Sequence, residues 1–126
     1  MSRGLKITFL IHAIVALIFG IGSFLKPGIW VTVANWTPFD PHMTRTYGAT
    51  LVALAVSSWF GYRAARWEEV RILVQMEIAL TVLSTVGGLW GLLFRSAPTF
   101  GWVGIVIWVA FAVAWNYFYF KRPAQA

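Results

Sequence analysis

The chain holds only four acidic residues, and one of them, Glu77, stands inside the apolar run RILVQMEIALT at 71–81. A carboxyl in such surroundings has two chemical uses. It can bind and release a proton, or it can hydrogen-bond a polar group on a neighbouring helix. His12 lies in a different apolar run and is the leading partner, since imidazole both donates and accepts. Ser57 and Asn116 lie in two further runs and are placed to supply the remaining hydrogen bonds. Glu77, His12, Ser57 and Asn116 are therefore the candidate ligand- or proton-binding set.

Other chemistry is poorly provided for. Cysteine is absent, which removes thiolate nucleophiles, Cys-ligated zinc and iron–sulfur clusters. His12 and His42 stand 30 positions apart, without metal-ligand spacing. No Ser-His-Asp set can be assembled from so few acids, and no Gly-rich phosphate loop follows a strand. No catalytic residue, metal or cofactor is assigned on this reading.

The elements that carry these residues are membrane helices. The composition is 60% hydrophobic and 11% charged, with a mean hydropathy of +0.73, more apolar surface than a soluble domain of this length can bury. A spanning helix needs about 20 mostly apolar residues. Segments 5–25, 47–64, 70–94 and 102–120 meet that requirement, so the expected fold is an all-α, integral membrane four-helix bundle forming one domain over 1–126. The first segment follows Arg3 and Lys6 and resembles a signal peptide. Its length and the absence of a small-residue cleavage site after Lys26 favour a retained anchor.

Cations set the expected orientation. Arg3, Lys6, Arg63, Arg66, Arg71, Lys121 and Arg122 share one side, against Lys26, Arg45 and Arg95 on the other. Seven against three places both termini in the cytoplasm, and the expected location is the cell inner (plasma) membrane. The net charge of +6 is thus explained by topology; the cations sit at the ends of apolar runs and form no nucleic-acid stripe. The lipid bilayer is the expected partner, together with a membrane protein or a second copy of the chain.

The four polar residues agree in depth. Glu77 lies seven residues past Val70, or about 10 Å inside the cytoplasmic edge at 1.5 Å per residue. His12 and Ser57 sit at similar depth, and Asn116 is slightly shallower. Helical spacing puts Glu77, Thr81, Ser84, Gly88 and Gly91 on one face of the third segment. His12, Ala16, Gly20 and Ser23 share a face of the first, and Ala49, Ala53, Ser57 and Gly61 recur every four residues in the second. Small residues at this spacing allow close helix approach, so the three stripes predict the bundle seams. Gln75 points to the opposite side of its helix. Gly87-Gly88 reads as close packing or a local bend.

The first outer connection, KPGIWVTVANWTPFDPHMTR, contains a short apolar stretch between Trp30 and Trp36 that is expected at the membrane–water interface. Asp40-Pro41 has the form of an N-cap followed by an N1 proline, so the second long helix should begin at Pro41. In the last segment Trp108, Phe111, Trp115 and Phe118 form an aromatic face. It reads first as a lipid-facing surface, and alternatively as a docking face for a partner subunit or a flat hydrophobic ligand such as a quinone or pigment.

Four spans, cytoplasmic termini, one long outer loop and the sequence Arg45-x-Tyr47-Gly48 at the start of the second span resemble the DoxX-like group of small bacterial membrane proteins. That resemblance implies a four-helix bundle acting as an accessory subunit of membrane oxidoreductase or quinol-linked complexes. Small multidrug exporters also have four spans and one membrane acid, but theirs lies in the first helix. The expected function is an accessory, scaffold or hydrophobic-ligand-binding component of a membrane complex, without catalytic machinery of its own. The alternative is a proton-coupled transporter of a small hydrophobic substrate centred on Glu77.

Overall fold

The structure, a computed structural model, describes residues 1–121; Arg122, counted above among the cytoplasmic cations, lies outside the described residues. Five helices are present among them: α1 (Arg3–Leu25), α2 (Ile29–Ala34), α3 (Pro41–Arg63), α4 (Trp67–Phe94) and α5 (Gly101–Phe120). The described residues contain no strand.

Local chemistry sets the helix ends. Ser2 Oγ accepts from the Leu5 amide at 3.2 Å and caps α1. Asp40 Oδ1 accepts from His42 N at 2.8 Å and Met43 N at 3.0 Å, and Pro41 occupies the first turn of α3, where its missing N–H costs nothing. Asn35 ends α2 at φ 50°, a left-handed conformation that Asn tolerates better than most residues. At the start of α4, Glu69 Oε2 accepts from Ala65 N (3.0 Å) and Arg66 N (3.4 Å) while Oε1 accepts from Arg66 Nε (2.9 Å). The guanidinium beside it holds the Glu69 carboxyl below its usual range.

Three of these helices, α1, α4 and α5, are long and apolar enough to cross a membrane. Helix α3 matches them in length, with 23 residues, but His42, Thr44, Arg45, Thr46 and Thr50 make its first half polar.

The long helices alternate in direction. Along α1 and α3 the contacts run in opposite order: Met1 N donates to Ala65 O, Phe9 packs on Gly61, His12 meets Ser58, and Gly20 meets Val52. Helices α4 and α5 are likewise antiparallel, with Gln75 bonded to Tyr119 and Gly88 lying against Ile105 and Trp108. Neighbours around the ring are α1–α3–α4–α5, so α1 and α4 face each other across a diagonal.

The α1–α3 seam differs from the one expected. Gly48, Ala55, Ser58 and Gly61 are buried, whereas Ala49 and Ala53 are exposed. A Cβ at Gly48 would lie 2.5 Å from the Phe24 backbone nitrogen, so glycine is needed there for close approach. At the end bearing the N-terminus, Leu5, Phe9, Val70, Val74 and Trp115 form one core cluster. Farther from that end lies a partly open cavity of about 700 Å³, lined by residues of all five helices.

Candidate functional site

Helix α1 turns His12, Ala16, Gly20 and Ser23 inward, all buried as the spacing predicted. Helix α4 turns Glu77 and Thr81 inward, with Ser84, Gly88 and Gly91 continuing the stripe along the cavity wall. The two helices thereby bring His12 Nε2 to 3.6 Å from Glu77 Oε2, although 65 positions separate them in the chain. Glu77 is 1% exposed and neither of its carboxyl oxygens has a hydrogen-bond partner. The separation from His12 exceeds hydrogen-bond range.

The second imidazole nitrogen is engaged. His12 Nδ1 and Ser58 Oγ are 2.7 Å apart, a bond in which either can donate. Ser58 is fully buried. The candidate Ser57 is not part of this cluster: it lies one residue, or about 100°, further round α3, where its Oγ donates to Leu54 O at 2.9 Å. Asn116 is also turned onto its own helix, donating to Ala112 O at 2.8 Å. Thr81 Oγ1 does the same to Glu77 O at 2.7 Å. A polar side chain without a cross-helix partner satisfies itself on the carbonyl one turn back. The expected four-residue set is therefore a buried Ser58–His12 bond with Glu77 beside it.

The aromatic face of α5 is a second departure. Expected first as a lipid-facing surface, it points into the bundle. Trp115 is 0% exposed, with its ring 4.8 Å from Phe9 and 5.7 Å, edge-on, from His12. Phe111 meets His12 edge-on at 4.8 Å. Phe118 packs over Gly4, and Trp108 over Gly88. The outward face instead carries Val103, Val106, Val109 and Val113, all exposed. Lipid accepts valine as readily as Phe, so apolar character alone does not choose between the faces. Gln75 does point away from Glu77, and its amide donates to Tyr119 Oη at 3.1 Å.

His12, Thr81 and Phe111 line the inner end of the cavity. Its far end is formed by Trp30, Trp36, Phe39 and Phe100. From His12 to Ser23 along α1 is about 16 Å at 1.5 Å per residue. Trp30 closes over the far end, donating from Nε1 to Ser23 Oγ at 2.8 Å and stacking on Phe19 with ring centres 5.4 Å apart. These contacts hold α2 across the top of α1. Volume and lining are those of a site for a small hydrophobic molecule: predominantly apolar and aromatic, with a few fixed polar groups. Among the described residues no three His, Cys, Asp or Glu side chains are grouped to hold a metal ion.

Sequence reasoning missed the cavity and its far wall. The available signal was the pair Gly87-Gly88, of which α5 packing requires only the second. Tyr47, within the Arg45-x-Tyr47-Gly48 sequence, also lines the cavity. Comparison with family models, curated proteins and solved structures gives no match to this chain.

Proposed function

We propose that the chain is a four-span inner-membrane protein with cytoplasmic termini that binds a small hydrophobic ligand inside its bundle. It acts as a ligand-binding accessory component and has no catalytic machinery of its own. The observation that carries this reading is the aromatic-lined cavity of about 700 Å³ with His12 at its inner end. The four-span count rests on α3 matching the other long helices with 23 residues and packing along α1 from Gly48 to Gly61. The orientation rests on the asymmetry of the cations. Membership of the DoxX-like group belongs to the same proposal; Gly48 and Tyr47 of its short motif have the roles of helix contact and cavity wall.

The test is purification in mild detergent followed by solvent extraction and mass analysis. A hydrophobic compound recovered near one per chain supports the reading. Recovery of bare protein, with no saturable uptake of added lipophiles, contradicts it.

One observation favours a second reading, proton-coupled transport of the ligand. Glu77 is fully buried without a hydrogen bond and lies 3.6 Å from a histidine that borders the cavity. An intramembrane acid so placed is a functional candidate. Substituting Glu77→Gln should then abolish proton-driven movement in proteoliposomes and leave the fold intact. An unchanged rate removes this reading.

A further inference from the structure

The two adjacent glycines of α4 have different surroundings. A Cβ added at Gly88 would lie 2.7 Å from Ile105 Cδ1 and 2.8 Å from Trp108 Cζ3, so packing against α5 requires glycine there. A Cβ added at Gly87 would meet nothing within 4 Å. At Gly91 the nearest atom would be Ala97 Cβ at 3.7 Å, an ordinary contact. Glycine is among the poorest helix formers, and no protein atom demands it at 87 or 91. Both positions line the cavity. They leave a strip of α4 backbone bare along one of its walls.

The cavity lining also includes a cluster of three aromatic rings, Phe19, Trp30 and Phe100. Phe19 and Trp30 stack with an interplanar angle of 8°, and Phe100 lies 6.2 Å from Trp30. The bare backbone strip and the aromatic cluster line one cavity, and the strip is a slot between the side chains of α4. A flexible alkyl chain can thread between side chains and needs no such slot, whereas a rigid ring system needs one and gains offset stacking on the rings.

The slot also has a side opening. Tyr47, 49% exposed, and Thr50 on α3, with Gly87 on α4, are exposed and line the cavity. Helices α3 and α4 approach closely over only a small part of their lengths. A ligand dissolved in the bilayer can enter between them without crossing water.

We propose that the cavity's ligand is a membrane-dissolved molecule with a flat, ring-bearing body, which enters between α3 and α4 and lies on the bare α4 backbone at Gly87 and Gly91. The proposal rests on the ligand-binding reading above and adds the ligand's class and the residues that select it.

The experiment follows tryptophan emission in purified protein with two probes: pyrene, which accepts energy from tryptophan, and dibrominated stearate, which quenches it. Pyrene should give a saturable response. Gly87→Leu should weaken that response about tenfold or more, because it fills the slot without striking protein. Val86→Leu, exposed on the same helix and outside the cavity lining, should leave it unchanged. Stearate should respond less and be nearly indifferent to Gly87→Leu. Circular dichroism and gel filtration check folding, and Gly91→Leu replaces Gly87→Leu if that variant is not recovered folded. Stearate saturation without pyrene saturation overturns the planar class while leaving ligand binding intact. So does a Gly87→Leu protein that binds pyrene as well as the parent, or one that loses both probes equally. Saturation by neither probe overturns the ligand-binding reading and this proposal with it.

Discussion

His12 and Glu77 meet across the diagonal of the bundle with 3.6 Å between Nε2 and Oε2, and Ser58 holds the opposite imidazole nitrogen at 2.7 Å. Ser58 therefore orients the ring. Glu77 is left with a neighbour and no bond.

That asymmetry predicts the effect of replacing the acid. Both carboxyl oxygens of Glu77 are buried without a hydrogen bond, a state that carries a desolvation cost. Glu77→Leu removes the cost while keeping similar volume and should stabilise the fold by on the order of 1 kcal/mol. Thermal unfolding in detergent measures this; a clear loss of stability would show that the carboxyl is bonded after all.

The Ser58–His12 bond should behave as a coupled pair. His12→Leu leaves a fully buried hydroxyl without its partner, at a cost of about 1–3 kcal/mol, and Ser58→Ala should cost a similar amount. The double variant should lose less than the two single losses combined, by roughly 1 kcal/mol in a double-mutant cycle. Strict additivity would mean that the two side chains do not interact.

Close approach of α1 and α3 makes Gly48 the most sensitive glycine. Gly48→Ala puts a Cβ 2.5 Å from the Phe24 nitrogen, where backbone has to move, and should destabilise by about 1–3 kcal/mol. Ala53→Leu, on the exposed side of α3, should stay within about 0.5 kcal/mol. Unfolding midpoints for the two variants in one detergent compare them directly; equal effects would remove the seam through Gly48.

The start of α4 supplies a pH dependence. Glu69 is held below the ordinary carboxylate range, first by the side-chain bond from Arg66 and then by the Ala65 and Arg66 amides. A lowered carboxyl contributes stability that is complete above its unfolded pKa, about 4.3, and is lost as pH falls through the lowered folded value. The pair is solvent-exposed and its contribution small. Wild type and Glu69→Gln should therefore differ slightly and constantly above about pH 5 and converge in acid. A gap that widened in acid would reverse the assignment.

Much of this architecture could be read from residue order. Asp40-Pro41 marked the start of α3 because capping is local chemistry, independent of what the helix packs against. Glu77 and His12 could be paired because polar groups in apolar runs have few places to go. The choice of face was harder. Ser57 and Ser58 stand side by side in an apolar part of α3, and both sides of α5 are apolar, so nothing in the spacing distinguishes one serine from the other, or the Trp115 face of α5 from its valine face. Packing decides these, and it depends on contacts between α1, α3, α4 and α5 that residue spacing does not encode. The cavity was hidden for the same reason, since a void is a property of several helices together.

Native mass spectrometry of the purified protein, compared with a variant whose cavity is filled, tests ligand binding most directly. Ser84 lines the cavity half-buried, and Ser84→Phe occupies that space from the middle of α4. The wild-type chain should carry one small hydrophobic molecule, and Ser84→Phe should carry none while remaining folded. A wild-type chain that flies bare, or two proteins with the same bound mass, would contradict a ligand site in this bundle.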